Sequence, residues 1–229
     1  MTSGVLYIVA TPIGNLTDIT LRALDILRQV NLIAAEDTRH ASILLKKYAI
    51  ETPLISYYEQ NEERRSAELL EKLLNGTQIA LITDAGTPLL SDPGYRLVQK
   101  AIANAIMVVP IPGPSAVLTA LVCSGLATDR FVFEGFLPRK KGRQTRLREL
   151  ASENRTIIFF ESPFRVVATL EDLLQYFGER RCVCARELTK IHEEFRRGYL
   201  SELLAHFKIN KPRGEFVIIV EGKETAKRQ

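Results

Sequence analysis

The stretch IALITDAGTP, residues 79–88, joins a short apolar run to a turn of small and polar residues. The run Ile79–Thr83 has the length and β-branched character of a buried strand. The turn continues to Gly94, and the twelve residues 83–94 contain two prolines and two glycines. Gly86 permits a positive φ or the close approach of a ligand to the backbone. A strand followed by such a turn is typical of the ligand-binding edge of a parallel sheet.

The same alternation of apolar runs and helical patterns extends through the first half of the chain. It predicts strands at Val5–Ala10, Leu32–Ala35, Leu54–Tyr57, Ile79–Thr83 and Met107–Pro110. It predicts helices at Leu21–Val30, Thr38–Tyr48, Glu62–Leu74 and Tyr95–Ala105. Strands that alternate with helices of this length indicate an α/β fold with a largely parallel sheet covered on both faces.

The helix Glu62–Leu74 carries its own start and stop signals. Asn61 is expected to cap its start and Gly76 to end it. Its apolar stripe is expected at helical spacing, on Ala67, Leu70, Leu73 and Leu74.

The densest break in the chain is the group of prolines and glycine at residues 110–114. We therefore expect two α/β domains, residues 1–112 and 113–223, and a polar tail, residues 224–229. The second domain is expected to contain helices at Ser115–Ser124, Arg143–Ala151 and Arg165–Phe177, and strands at Phe131–Glu134, Thr156–Phe160, Cys182–Arg186, Glu194–Arg197 and Glu215–Glu221. Short links between its late strands indicate a mixed, partly antiparallel sheet.

Composition excludes several classes of protein. A net charge of +4 permits a nucleic-acid partner without requiring one. The dinucleotide fingerprint, the phosphate-binding P-loop, the nucleophile elbow and the zinc motif HExxH are absent from the sequence. The three histidines have no metal-ligand spacing, so no metal is expected. The three cysteines, Cys123, Cys182 and Cys184, are expected to be reduced and buried. Without a signal peptide or an apolar run that could span a membrane, the protein is expected to be cytoplasmic.

Three further segments place small, polar or proline residues after predicted strands: Ala10–Leu16, Ala35–Arg39 and Pro112–Ala116. Each has a purely structural interpretation, respectively a strand end, a helix start capped by Asp37 or Thr38, and a stiff linker. Their shared position at strand ends also suits a binding site. In the turn after Thr83, Asp84 is placed to accept hydrogen bonds from an ammonium group.

Eight segments in order carry a resemblance to a known family: Thr11–Leu16, Ala35–Arg39, Thr83–Pro88, Pro112–Ala116, Glu134–Pro138, Phe160–Pro163, Ala185–Lys190 and Gly214–Glu215. Through them the chain resembles the tetrapyrrole-methylase superfamily, the class III S-adenosylmethionine-dependent methyltransferases. Within it, the similarity is greatest to a branch that acts on ribosomal RNA of the small subunit.

This resemblance implies a donor, an acceptor and an assembly. S-adenosylmethionine would lie in the cleft between the two domains, with no metal, and the protein would be a homodimer. The acceptor would be the ribose 2′-hydroxyl of a cytidine in the decoding region of 16S rRNA. The residues implied to bind the donor are Pro12, Asp84, Ala85, Gly86, Thr87, Ser115, Ala116, Phe160, Glu161, Ser162, Ala185 and Gly214.

Residues 139–148, RKKGRQTRLR, contain six basic residues and no acidic one. A solvated amphipathic helix with Leu147 and Leu150 facing inward would explain the polarity of the segment but not its single sign of charge. We interpret it as a strip that binds RNA phosphates. The residues predicted to contact RNA are Arg139, Lys140, Lys141, Arg143, Arg146 and Arg165.

A ribose hydroxyl is a poor acid, so methyl transfer to it benefits from a base. Glu36 and Asp37 are the candidate bases, and Arg39 is expected to position the RNA. Two other functions stay open: methylation of a tetrapyrrole or another small molecule on the same fold, and non-catalytic RNA binding with a vestigial cleft.

Overall fold

A computed structural model describes residues 3–223 of the chain. It divides into two compact units, Met1–Ser115 and Ala116–Gln229. The predicted polar tail, residues 224–229, lies outside the described residues. Within residues 3–223 every helix is too short or too polar to cross a bilayer.

Residues 3–115 of the first unit contain five strands and four α-helices: β1 (Val5–Val9), α1 (Leu21–Gln29), β2 (Leu32–Ala35), α2 (Thr38–Lys47), β3 (Leu54–Ser56), α3 (Glu62–Leu74), β4 (Ile79–Ile82), α4 (Tyr95–Ala103) and β5 (Met107–Ile111). The strands are all parallel, in the order β3-β2-β4-β1-β5. The predicted parallel α/β unit is confirmed, and each predicted element is present with ends within two residues of the prediction.

Two apolar layers cover the two faces of this sheet. Strand β1 alternates between them, because Leu6 packs in the layer of α3 and α4 while Val9 packs in the layer of α1 and α2. Successive side chains of a strand point to opposite faces, so a strand covered on both sides must be apolar throughout. Because the strands are parallel, their carboxyl ends lie at one edge of the sheet, and the loops that follow them lie there too.

The buried stripe of α3 differs from the prediction. Ser66, Leu69 and Leu73 are buried, whereas Ala67 and Leu74 are exposed. A serine occupies the stripe because its hydroxyl lies 3.0 Å from the hydroxyl of the fully buried Tyr57. Such a hydrogen bond makes burial of both hydroxyls tolerable.

The start of α3 also differs from the prediction, since the Asn61 side chain makes no cap there. It instead accepts a hydrogen bond from the Tyr58 backbone N–H, at 2.9 Å. Asn61 therefore orders the short 3₁₀ turn Glu59–Asn61 that precedes the helix.

In the second unit, the described residues 116–223 form five strands and four helices: α5 (Ala116–Val122), β6 (Phe131–Phe136), α6 (Arg143–Leu150), β7 (Thr156–Glu161), α7 (Val166–Phe177), β8 (Arg181–Arg186), β9 (Glu194–Tyr199), α8 (Leu200–Ile209) and β10 (Phe216–Val220). Its sheet has the order β6-β7-β10-β8-β9. Strands β6 and β7 are parallel and the other neighbours are antiparallel, which confirms the predicted mixed sheet.

Helix α8 is absent from our prediction. Its buried residues Leu200, Leu203 and Phe207 recur every three to four positions, and this helical spacing is visible in the sequence. The helix packs its apolar face into the core of the second unit, where the rings of Phe207 and Phe216 lie 5.6 Å apart.

The three cysteines separate into two kinds. Cys182 and Cys184 lie on β8 and are each 1% exposed, as predicted. Cys123 is exposed, so the prediction that all three thiols are buried is wrong. Cys123 is the first residue after the end of α5 and is open to solvent.

Candidate active site

The turns after β1 and β4 are joined by a pair of backbone hydrogen bonds. Thr11 N–H donates to Gly86 C=O at 2.8 Å, and Gly86 N–H donates to Thr11 C=O at 3.0 Å. Gly86 has φ +83°, and a Cβ there would lie 3.2 Å from Ile13 Cγ2. The left-handed conformation and the tight packing explain why this position is a glycine.

The turn after β5 joins the same group. Thr87 Oγ1 donates to Pro114 C=O at 3.1 Å, and a Cβ on Gly113 would lie 3.0 Å from Ala10 Cβ. The structure therefore brings together the turns that carry the predicted donor residues of this unit: Pro12, Asp84, Ala85, Gly86, Thr87 and Ser115. Rigid backbone with several fixed N–H and C=O groups is suited to hold a polar ligand.

Carboxylates cluster around Thr83 at this edge of the sheet. Thr83 is buried, and its hydroxyl donates to Glu36 Oε2 at 2.8 Å. Asp84 Oδ1 accepts the Asp37 backbone N–H at 3.1 Å, which ties the end of β4 to the start of α2. Asp92 belongs to the same cluster, because the charges of Glu36 and Asp84 both raise its pKa.

Burial and the repulsion of neighbouring charges raise the pKa values of two of these acids, Asp92 and Asp84. Burial raises the pKa of Asp92 from 3.8 to about 6, and the charges of Glu36 and Asp84 add to the shift. Burial likewise raises the pKa of Asp84, with Glu36 next among the causes that raise it. Perturbed carboxyls at the carboxyl edge of a parallel sheet are a common feature of functional sites. The sequence predicts no role for Asp92, because Glu36, whose charge raises its pKa, follows a different strand.

Replacing Asp92 with asparagine is expected to stabilise the protein at pH 7.5. The pKa of Asp92 is raised in the folded state, so the folded protein binds this proton more tightly than the unfolded chain. Stability therefore falls as the pH rises from about 4 to about 6, and the loss is complete above that range. Because water reaches part of the side chain, we expect a gain of only about 1 kcal/mol for D92N.

Urea unfolding of both proteins at pH 7.5 and pH 4.5 measures this difference. The advantage of D92N should shrink at the lower pH, where the wild-type carboxyl is protonated. Asp129→Asn, at a side chain that is 74% exposed, is the control and should change neither value. A D92N protein that is less stable than the wild type at pH 7.5 would show that the ionised carboxylate is stabilised rather than strained.

Asp37 and Arg39 are bound to each other. The guanidinium donates to both carboxylate oxygens, at 3.1 and 2.6 Å, and Asp37 Oδ1 also accepts the Arg39 backbone N–H at 2.8 Å. Asp37 thus caps α2, as the structural interpretation of this segment predicted. The Arg39 side chain beside it holds the pKa of the Asp37 carboxyl well below its usual range. A carboxylate held in this way is a weak base, so the structure disfavours Asp37 as the group that accepts the ribose proton.

The other predicted donor residues lie at one edge of the second sheet. Strands β7 and β8 both end where β10 begins, since Phe216 of β10 pairs with Glu161 on one side and with Arg186 on the other. This register brings to one edge Phe160, Glu161 and Ser162 at the end of β7, Ala185 near the end of β8 and Gly214 just before β10. Ala116 is the first residue of α5.

The Glu161 carboxylate is used within the second unit. Its side chain is 1% exposed, and Oε1 accepts the Ser162 backbone N–H at 2.8 Å. Oε2 accepts the Thr169 hydroxyl at 2.6 Å, and Arg165 Nε lies 3.5 Å from Oε1. These contacts order the turn from β7 to α7 and occupy the carboxylate. Any contact of Glu161 with the methyl donor is therefore best made by its backbone.

Position 214 requires a glycine because the segment that follows β8 packs against it. It has φ +81°, and a Cβ would lie 2.4 Å from the side chain of Glu187. Glu187 accepts the Glu215 backbone N–H at 3.0 Å, and Lys190 bridges Glu187 and Glu215 at 3.0 and 2.9 Å. The predicted segments around Ala185 and Gly214 are therefore in direct contact.

The basic residues 139–148 divide into paired and unpaired cations. Arg143 Nε lies 2.7 Å from Asp172, and Arg146 is held by Glu134 and Glu149. Arg165 is also engaged, since its Nη2 donates to Leu137 C=O at 2.8 Å. By contrast Arg139, Lys140 and Lys141 are exposed and make no ion pair within residues 3–223.

The local structure explains this division. Residues 139–142 form a turn before α6, whereas Arg143 and Arg146 lie on the helix, whose residues Leu147 and Leu150 face inward as expected. The amphipathic-helix interpretation therefore accounts for Arg143 and Arg146, while the three cations of the turn are available to an anionic partner.

Among the residues that the structure describes, no group of three or more His, Cys, Asp or Glu side chains is arranged to hold a metal ion.

Comparison with known proteins identifies the family. The family model of tetrapyrrole (corrin/porphyrin) methylases matches residues 5–204. A Thermotoga maritima protein named ribosomal RNA small subunit methyltransferase I is 51% identical over 96% of this chain and 100% of its own length. Proteins of the same name from Synechocystis and Escherichia coli O157:H7 are 55% and 52% identical over 96% of this chain, and over 79% and 78% of their own lengths.

Solved structures show the same fold at lower identity. Diphthine synthase has a TM-score of 0.76 at 15% identity, covering 98% of this chain and 92% of its own. The uroporphyrin-III C-methyltransferase of Thermus thermophilus, complexed with S-adenyl homocysteine, has a TM-score of 0.67 at 20% identity, covering 94% of this chain and 97% of its own. Because the family model spans most of the chain and relatives of about half-identical sequence span nearly all of it, the chain belongs to the tetrapyrrole (corrin/porphyrin) methylase family and is a methyltransferase.

Proposed function

We propose that this methyltransferase transfers a methyl group from S-adenosylmethionine to the ribose 2′-oxygen of a cytidine in the decoding region of 16S rRNA. The observation that carries the proposal is the 51–55% identity, over 96% of the chain, to proteins named ribosomal RNA small subunit methyltransferase I. The substrate is then the rRNA within the small ribosomal subunit, and the enzyme acts in the cytoplasm as a homodimer.

The proposed donor contacts come from the two sheet edges described above. Similarity to a structure that holds S-adenyl homocysteine supports a donor of this kind. In the first unit the backbone of the Asp84–Thr87 turn offers polar groups, and the acids around Thr83 give the edge a negative potential. Such a potential favours a sulfonium cation. The position of the donor relative to the two units stays a prediction.

The proposed reaction is an in-line displacement. The 2′-oxygen attacks the methyl carbon, the carbon–sulfur bond breaks with its electrons going to sulfur, and the hydroxyl proton leaves to a base. Alignment of the two reactants supplies much of the rate. Glu36 is suited to accept the proton, because Thr83 occupies only its Oε2 and no protein donor within residues 3–223 contacts Oε1.

Mapping of a labelled methyl group tests the proposal. The protein is incubated with labelled S-adenosylmethionine and 30S subunits from a strain that lacks this methylation, and the label is located by nuclease digestion. We expect it on one cytidine ribose of the decoding region. Label on a tetrapyrrole and none on the subunits would favour the small-molecule alternative, and no label on either would favour non-catalytic RNA binding.

Removal of the three unpaired cations is expected to weaken RNA binding in a salt-dependent way. The variant Arg139→Ala/Lys140→Ala/Lys141→Ala loses three exposed charges that make no ion pair in the described chain. Each phosphate contact to single-stranded RNA adds about 0.7 to the slope of log K against log salt, so the slope should fall by about 2.

Binding of 30S subunits at several salt concentrations measures the slope. A matched control removes three exposed lysines of the first unit, Lys46, Lys47 and Lys72, and should leave the slope near that of the wild type. Equal slopes for the triple variant and the wild type would remove this turn from the RNA interface. Donor affinity should be unchanged in both variants.

A further inference from the structure

The turn between β7 and α7 exposes an aromatic ring. Phe164 is 90% exposed, and the next most exposed Phe or Tyr within residues 3–223 is Tyr95 at 64%. Isolated exposed apolar residues are common and need no function by themselves. Three features of its surroundings distinguish this residue.

The backbone that carries Phe164 is held rigidly. Residues 162–165 form a tight turn, in which Arg165 N–H donates to Ser162 C=O at 3.0 Å. Pro163 occupies the second position of this turn, where its fixed φ is favourable. The buried Glu161 carboxylate accepts the Ser162 N–H on one side of the turn. The ring is therefore presented to solvent from a fixed base rather than from a mobile loop.

The turn is tied to the three unpaired cations. The residue after Phe164 is Arg165, whose guanidinium donates to Leu137 C=O at 2.8 Å. Leu137 lies two residues before Arg139, and Pro138 between them accepts a hydrogen bond from Arg143 at 3.2 Å. From bond lengths and the reach of the Arg165 side chain, the Cα atoms of Phe164 and Arg139 lie on the order of 20 Å apart or less. That distance corresponds to a few nucleotides of single-stranded RNA.

The turn also follows directly after the predicted donor residues Phe160, Glu161 and Ser162 at the end of β7. Under the proposed function, a group at this place lies near the methyl donor and therefore near the nucleotide presented for methylation. Rings displayed beside basic side chains are the usual means by which proteins hold unpaired bases, because every base has a face that stacks.

We propose that Phe164 is a substrate-positioning residue that stacks on an unpaired base of the RNA, at or next to the methylated nucleotide. The inference rests on the proposed function. It adds to that function a contact that depends on the face of a base rather than on phosphate charge. The turn of Arg139, Lys140 and Lys141 then holds the backbone of the same RNA segment.

Four variants separate stacking from simple apolar contact: Phe164→Ala, Phe164→Leu, Phe164→Tyr and Phe164→Trp. Loss of one stacked base should raise KM for 30S subunits by about tenfold in F164A and in F164L. F164Y and F164W keep a flat ring and should stay within about twofold of the wild type. Donor affinity, kcat and the salt slope of binding should change little, because neither the donor contacts nor the cations are altered.

Ile209→Ala is the matched control, since Ile209 is an apolar side chain that is 85% exposed at the end of α8. It should leave KM unchanged. The inference is overturned if F164A has the KM of the wild type, or if F164L is as good as F164Y, which would indicate apolar contact without stacking. If the wild-type protein itself does not methylate the subunits in the same assay, the proposed function fails; a failure confined to the Phe164 series leaves that function standing.

Discussion

Replacing Glu36 with glutamine is expected to lower kcat for methylation of 30S subunits by about 10²–10³-fold. Glu36 lies directly after β2 and receives one hydrogen bond, from the Thr83 hydroxyl, on Oε2. Glutamine preserves the size of the side chain and can still accept that bond, but it cannot take a proton from the ribose. The dissociation constant for S-adenosylmethionine should change by less than about threefold, because the loss concerns the reaction and not the ground state.

Asp37→Asn is the matched comparison, since it removes a neighbouring carboxylate that is already bound to Arg39. We expect a small change in kcat and little change in stability, because asparagine caps a helix about as well as aspartate does. Single-turnover rates with saturating donor measure the chemical step for both variants. A larger loss of rate in D37N than in E36Q would assign the base to Asp37 instead, and near-normal rates in both would exclude both carboxylates.

Replacing Glu161 with leucine is expected to destabilise the protein by about 3–5 kcal/mol. The carboxylate is almost fully buried. It accepts hydrogen bonds from the Ser162 N–H and the Thr169 hydroxyl and forms an ion pair with the Arg165 guanidinium. Its removal leaves these groups without their acceptor in a dry environment, which costs more than the loss of a surface ion pair.

Urea unfolding measures this loss. Glu171→Leu is the control, since Glu171 lies on the adjacent helix α7, is 47% exposed and pairs with Lys208 at 2.8 Å. Its effect should stay below about 1 kcal/mol. Glu161→Gln separates structural from ligand-binding roles. If E161Q has wild-type stability but loses donor affinity, the side chain itself contacts the donor, as the family resemblance implies, and the structural role argued here is wrong.

The elements of both sheets were predictable because each buried strand is a short apolar run that ends in turn residues. The prediction failed where packing reverses a local preference. Ser66 is buried on α3, in place of the predicted Ala67, because Tyr57 from the preceding segment supplies a hydroxyl partner. Helix α8 was missed because its apolar spacing begins directly at the end of β9, with no turn between them.

The candidate site was predictable in part. The turns after β1, β4 and β5 were selected because they follow parallel strands, and the structure joins them through Thr11, Gly86, Thr87 and Pro114. The involvement of Asp92 was not predictable, since the burial that raises its pKa and the nearby charge of Glu36, from the turn after β2, both arise only in the folded protein. Burial in three dimensions, and not residue type, sets its pKa.

By itself the sequence determined the order of strands and helices, the mixed character of the second sheet and the positions of the turns that end each strand. These properties follow from local rules of apolar spacing and turn chemistry. Only the tertiary structure decided which charges are free. Arg143 and Arg146 look the same as Arg139 in the sequence, yet they are held by Asp172 and Glu134, which lie 29 and 12 residues away along the chain. A charge is available to a ligand only where folding has brought it no partner, and that depends on distances in space that no local pattern contains.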